Sequence, residues 1–323
     1  MSRTNSMPSA PDAVSASKLS PRTAVAWREF LLLSKPGITR LVTVASGVGF
    51  AVSTAWSGAD ARITVLSVIG CLIGTAVASA GANALNQIFE VDRDAMMERT
   101  ASRPLPAGRL DRHSAWAFAL TCAIAGPTLI AATSNWVAGV VAISTIILYA
   151  CLYTPLKPIS PISTYVGAIP GALPCLIGWT AASPDPVAAL MSAPAWSVFA
   201  ILAVWQIPHF FAIAMMYREQ YRRAGFKPLP EHAPSSQVSR WVLGWSAATV
   251  AASALPLLTM PSLVGVAYTA VAAVMAAVFV HAAVLLAQNP AVPQARRVFL
   301  ASIAYLPVLY LALVADALVL NAA

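Results

Sequence analysis

Charged side chains are scarce: they make up 10% of the 323 residues, against about 25% in a soluble globular domain. A chain so short of charge cannot clothe a water-facing surface, which leaves lipid as the solvent for most of its exterior. Cysteine is limited to Cys71, Cys122, Cys151 and Cys175, each in or beside an apolar run and none in a CxxC spacing. That pattern argues against a disulfide framework or a thiolate metal centre, and reads as small buried hydrophobes. Acids are also few, 12 against 20 basic residues, for a net charge of +8. The excess does not describe a nucleic-acid surface, because Lys and Arg sit in short gaps between apolar runs rather than on a stripe interleaved with aromatics. No secretory signal peptide is visible. Residues 1–27 are rich in Ser, Ala and Pro, with Arg3, Lys18, Arg22 and the single acid Asp12. A transit peptide shares that composition; a disordered cytoplasmic tail over residues 1–30 is the simpler expectation, with a transmembrane domain over 31–323.

What the chain has in abundance is apolar sequence, 59% of it. Segments of roughly 20 residues recur, each long enough to cross a hydrocarbon core of about 30 Å. The expected spans are 37–56, 63–90, 114–132, 135–153, 162–181, 194–216, 240–259, 261–287 and 298–320, an all-α membrane protein of nine helices. Short turns at Ser134-Asn135 and around Pro261 mark helical hairpins. With nine spans, every Lys and Arg except Arg62 falls on the side of the N-terminus. The positive-inside rule then puts the N-terminus in the cytoplasm and the C-terminus outside, in a bacterial inner membrane by preference over a mitochondrial one. Pro170, Pro174 and Pro208 lie inside spans, where kinks either line a cavity or serve packing.

The second span ends in polar residues. At about 100° per residue, with Asn86 at zero, Glu90 falls near about 40° and Asp94 near about 80°, whereas Asp92 falls on the opposite side at about 240°. Asn86, Glu90 and Asp94 therefore form one stripe, its members about 6 Å apart in rise. Two carboxylates and an amide oxygen are hard ligands of the kind Mg²⁺ takes, together with substrate phosphates. A solvated helix end would show the same spacing. Arg99 and Arg103 follow directly, and guanidinium groups bind phosphate in bidentate fashion. Metal ligands beside phosphate ligands point to a diphosphate.

Asn86-xxx-Glu90-xxx-Asp94 resembles the NxxxDxxxD motif of the UbiA superfamily of membrane prenyltransferases, with Glu for the first Asp. The longer string Asn86–Leu110, NQIFEVDRDAMMERTASRPLPAGRL, resembles the heme O synthase (protoheme IX farnesyltransferase) branch. So do LSKPGIT from Leu33, YTPLK from Tyr153, GAIPGALPCLIGW from Gly167 and WQIPHF from Trp205. Gln220 stands where the branch has an acid before Tyr221, Pro158 where it has a basic residue and Ser163 where it has Asn.

The resemblance implies a bundle with a central cavity open to the cytoplasm, farnesyl diphosphate as donor and the vinyl group of protoheme IX as acceptor. It implies Mg²⁺ on Asn86, Glu90 and Asp94, and leaving-group stabilisation by Arg99, Arg103, Lys157 and Arg218. Tyr153, His209, Tyr217 and Tyr221 are the expected substrate contacts; His209 is either a heme-directed group or a histidine bonded within the bundle. The resemblance implies heme A synthase or terminal-oxidase assembly as partners. A quinone-type acceptor, a transporter and a non-catalytic heme-handling protein are the competing readings. Against the first stands the loop Tyr217–Gly225, which lacks a second DxxxD. Against the second stands the clustering of polar groups at span ends rather than midplane.

Overall fold

The computed structural model describes residues 21–58, 65–230 and 233–321. Arg62 and His232 lie outside the described residues, as do residues 1–20 of the expected tail. Within the rest of that stretch the chain is helical, as part of α1 (Pro21–Leu33). The order continues with α2 (Pro36–Ser57), α3 (Val65–Ala95), α4 (Arg112–Thr133), α5 (Trp136–Ile147), a π-turn (Leu148–Tyr153), α6 (Thr154–Leu156) and α7 (Ser163–Ala181). Then come α8 (Pro186–Met191), α9 (Ala193–Met216), α10 (Arg218–Arg223), α11 (Ser235–Thr259), α12 (Val266–Gln288) and α13 (Val292–Asn321). No strand occurs among the described residues.

Eight of these helices, counting α5 through α6 as one, are long and apolar enough to cross a membrane. The remaining expected span is α7, 19 residues long and diluted by Pro170, Pro174 and three glycines. It needs less lipid-facing surface than the others because it runs through the middle of the bundle, against α2, α5 and α9. Close approach is what its small residues provide. A β-carbon on Gly49 of α2 would collide with the Cys175 carbonyl, and one on Gly178 of α7 with the Ser46 carbonyl. The outside is apolar in turn: Leu66, Ile69 and Ile73 of α3 and Leu300, Ile303 and Leu311 of α13 are exposed.

Helix ends follow from local side chains. Asp111 caps α4 by accepting from the Ser114 amide at 2.8 Å, and that bond holds its carboxyl below the usual range. Asn135 caps α5 through the Ala138 amide at 3.0 Å, and its Nδ2 donates to the Thr180 carbonyl of α7 at 2.8 Å. The α4–α5 hairpin is thus tied to the central helix by its turn. Asp316, buried in α13, accepts from the amides of Gly265 at 2.8 Å and Tyr268 at 2.7 Å. It caps α12 from a neighbouring helix, which accounts for a buried acid near the end of an apolar span.

Candidate active site

α3 outruns the expected end of its span by a full turn, to Ala95, so the stripe Asn86, Glu90, Asp94 is helical throughout. Asn86 is fully buried, Asp94 and Glu90 nearly so, while the Asp92 side chain on the far face is 92% exposed. Each stripe residue meets a different cation. Lys35 Nζ donates to Asn86 Oδ1. Lys157 Nζ lies 2.7 Å from Glu90 Oε1. Arg103 Nη1 lies 2.5 Å from Asp94 Oδ2. The three cations come from the start of α2, the end of the α5–α6 segment and the loop before α4, elements that converge at one end of the bundle.

Lys35 was not singled out by the motif. It occupies the junction between α1 and α2 in the left-handed region, φ 50°, a conformation that costs a non-glycine residue energy and clusters at functional sites. Ser34 and Thr39 help hold that turn: Thr39 Oγ1 donates to the Ser34 carbonyl at 2.8 Å, and Asn83 Nδ2 donates to the same carbonyl at 3.2 Å. Burial, then the positive fields of Arg103 and Lys157, pull the Lys35 ammonium down to about 7. Burial acts on Lys157 in the same direction, but the Glu90 carboxylate outweighs it and holds this ammonium charged, above the usual lysine range.

The π-turn sets the opposite wall. Pro155 has no amide hydrogen and its ring excludes the normal contact with the Cys151 carbonyl, so the helix widens just before it. Thr154 Oγ1 closes the wide turn on the Tyr149 carbonyl at 2.9 Å and accepts from Asn86 Nδ2 at 3.0 Å. Tyr149, Tyr153 and Lys157 then share one face. The two tyrosine rings pack at 5.5 Å, and Lys157 Nζ lies 4.6 Å from the Tyr153 ring centroid.

These groups stand at one end of a cavity of about 460 Å³. Asn86, Glu90, Asp94, Arg99, Arg103, Lys157, Tyr153, His209 and Tyr221 all line it, joined by Lys35, Tyr149, Trp205 and Phe226. Much of the remaining lining is apolar, including Ile38, Leu41, Val42, Ile146, Ile177 and Leu202. Tyr217 and Arg218 are not on this wall. The Tyr217 ring lies 5.7 Å from the Arg99 guanidinium, and Arg218 Nη2 donates to the Ala233 carbonyl at 2.7 Å. Arg218 faces a smaller cavity beside Arg222 and Lys227. The departures at Gln220, Pro158 and Ser163 lie outside the cation–acid ladder, though Ser163 touches the cavity wall. His113 and His281 are exposed.

The donor set fits a divalent cation shared with a phosphate. Among the described residues no group of three or more acids, histidines and cysteines could hold a metal alone. Two carboxylates and an amide oxygen leave room for phosphate oxygens, which is how Mg²⁺ is commonly held. Glu90 Oε1 also has unspent capacity: it is buried and makes no well-aligned hydrogen bond, although Lys157 is close.

An apolar cavity inside a membrane bundle, with acids and bases ranked at its mouth, is a site for an amphiphile that has an anionic head. The chain belongs to the UbiA prenyltransferase family, whose model matches residues 44–303. It is similar to a protoheme IX farnesyltransferase of Solibacter usitatus (strain Ellin6076), 36% identical over 288 residues that cover 88% of this chain and 96% of that one. It is also similar to a mitochondrial protoheme IX farnesyltransferase of Arabidopsis thaliana, 40% identical over 205 residues, 64% of this chain and 46% of that one. Among solved structures, a digeranylgeranylglyceryl phosphate synthase has the same fold at 19% identity and a TM-score of 0.73, covering 90% of this chain and 98% of that one. A UbiA homolog from Archaeoglobus fulgidus bound to GPP and Mg²⁺ shares it at 15% identity and a TM-score of 0.57, covering 91% of this chain and all of the other.

Proposed function

We propose that the protein transfers the farnesyl group of farnesyl diphosphate to a vinyl group of protoheme IX, giving the hydroxyethylfarnesyl side chain of heme O. The observation that carries this reading is the ladder Asn86–Lys35, Glu90–Lys157, Asp94–Arg103 at the mouth of an apolar cavity. The family and the farnesyltransferase relatives supply the choice of donor and acceptor.

Asn86, Glu90 and Asp94 would hold Mg²⁺, which supplies charge neutralisation of the diphosphate when bound. Lys35, Lys157, Arg99 and Arg103 already face the same volume and stabilise the negative charge that grows on the departing diphosphate. The C1–O bond of the donor breaks, and the vinyl carbon forms a bond to C1. The faces of Tyr149 and Tyr153 border the space in which positive charge then passes from the farnesyl group to the acceptor, and aromatic faces favour cations. Water captures the cation left on the acceptor and loses a proton. The apolar lining keeps bulk water from the first cation. In this reading the protein sits in a bacterial inner membrane with its N-terminus and the cavity mouth cytoplasmic, and hands its product to heme A synthase or terminal-oxidase assembly.

The test is the heme profile of membranes from a host lacking its own heme O synthase, by chromatography and mass spectrometry. Wild type is expected to produce heme O; Glu90→Gln and Asp94→Asn, at matched expression, are expected to reduce it at least about 100-fold, the scale of losing a transition-state electrostatic group. Folded, inserted wild type that makes no heme O with farnesyl diphosphate present would exclude the assignment.

A further inference from the structure

His209 lines the cavity at the level of α9 where Trp205 and Phe210 also face it. Its surroundings fix its orientation and favour one tautomer. Ser302 Oγ on α13 donates its one hydrogen to the Phe299 carbonyl at 2.6 Å. The same oxygen lies 2.7 Å from His209 Nδ1; with its hydrogen on the Phe299 carbonyl it accepts there, and Nδ1 carries the imidazole proton in that arrangement. That arrangement leaves the lone pair on Nε2, which has no hydrogen-bond partner among the described residues.

The ring cannot easily turn away. Trp205, one helical turn earlier, lies nearly parallel to it at 4.9 Å and 20°. Phe299 lies at 5.1 Å and 27°. Trp205 Nε1 donates to the Ser302 backbone carbonyl at 2.8 Å. One serine thus holds two neighbouring rings of α9, through its hydroxyl and through its carbonyl.

We propose that Nε2 of His209 is the axial ligand of the acceptor heme iron, held in the required tautomer and plane by Ser302. The proposal rests on the heme reading given above. A metal-binding imidazole commonly donates its second ring N–H to an acceptor that fixes its tautomer, and a proximal histidine is a standard protein ligand of heme iron. The other task for a cavity histidine is to take the proton from the water that ends the reaction. The surroundings disfavour it: an imidazolium gains from a carboxylate partner, and here the partners are a serine hydroxyl and two aromatic rings. Ligation instead anchors the flat acceptor by its centre, leaving its edge, where the vinyl groups are, to reach toward the ladder.

The experiment titrates the purified full chain in lipid nanodiscs with iron protoporphyrin IX and, separately, with metal-free protoporphyrin IX. Absorption and magnetic circular dichroism of the ferrous and ferric forms are recorded. Wild type is expected to give an imidazole-ligated iron spectrum. His209→Ala should lose it, and His209→Gly should regain it on addition of free imidazole. Ser302→Ala should keep the ligand but bind iron porphyrin about 10–100-fold more weakly, as loss of an outer-shell partner does, with little change for the metal-free ring. An iron spectrum identical in wild type and His209→Ala overturns the proposal while leaving the heme reading intact. Failure of wild type to bind either porphyrin overturns both. His209→Ala that keeps the iron spectrum's affinity but blocks the water-addition step would assign the histidine as a base and overturn ligation.

Discussion

Each acid or amide of the stripe is matched to one cation, and the pairing has two consequences at the level of single residues. Glu90 is buried, and the Lys157 side chain is 20% exposed. Removing Lys157 leaves a carboxylate without its counter-charge in a poorly hydrated site, which costs about 3–5 kcal/mol. Lys157→Met should therefore unfold more readily in a denaturant titration in detergent, and should also lose transfer activity. The double variant Lys157→Met, Glu90→Gln should recover most of the stability, because no unpaired charge remains, and none of the activity. Equal stability of the single and double variants would show that Lys157 does not neutralise Glu90 in the folded protein. Asp94 and Arg103 allow the same cycle, while Asn86 and Lys35 differ because an amide needs no counter-ion. Losing Lys35 should therefore weaken diphosphate binding more than folding.

At the scale of elements, the centre of the bundle depends on α2 and α7 touching backbone to backbone at Gly49 and Gly178. Any side chain at Gly178 must push the helices apart, since its obstacle is the Ser46 carbonyl rather than a flexible group. Gly178→Leu should abolish the monodisperse peak in size-exclusion chromatography, whereas Gly244→Leu, with open space around it, should leave the peak in place. How far such elements can be read from sequence depends on the range of the interaction that makes them. The spans follow from local hydropathy, and the stripe follows from helical period: Asn86, Glu90 and Asp94 turn inward and Asp92 outward, as 100° steps require. Span ends are less legible. α3 continues past Glu90 because its last turn is held by contacts from other elements, and apolarity alone does not register them. The π-turn is encoded only by Pro155 acting on a carbonyl four residues back. Lys35 and Ser302 were missed for one reason: each acts on a helix far away in sequence, Lys35 on Asn86 and Ser302 on His209 and Trp205. Pro36 after Lys35 marks a helix start, but nothing local says which residue the lysine will face. Tyr217 and Arg218 illustrate the converse, since adjacency to α9 placed them near the cavity without placing them on its wall.

For the molecule as a whole, the arrangement of spans decides which compartment supplies the substrates. Lys35, Arg103 and Lys157 lie at the ends of different helices yet reach a single stripe, so the connections that carry them share one side of the membrane. The Lys227 amide adds another, donating to the Lys157 carbonyl at 2.9 Å. That side holds the basic excess, and in the function proposed above the positive-inside rule makes it the cytoplasmic one. The parity turns on α7, the expected span that does not reach the length and apolarity of the other eight. If α7 spans, the connection containing Ser160 and the connection containing Ser183 lie on opposite sides. Alkaline phosphatase, active only outside the cytoplasm, separates the cases when fused after Ser160, after Ser183 and at the C-terminus. Phosphatase should be inactive after Ser160 and active at the other two positions, with a fluorescent-protein reporter giving the reverse pattern. Equal activity after Ser160 and Ser183 would mean that α7 does not cross. The parity of every later connection would then invert, and the basic connection after α9 could not share a compartment with the acid stripe. A site assembled from both would be impossible, so the reporter pattern tests the cavity's architecture as directly as it tests the topology.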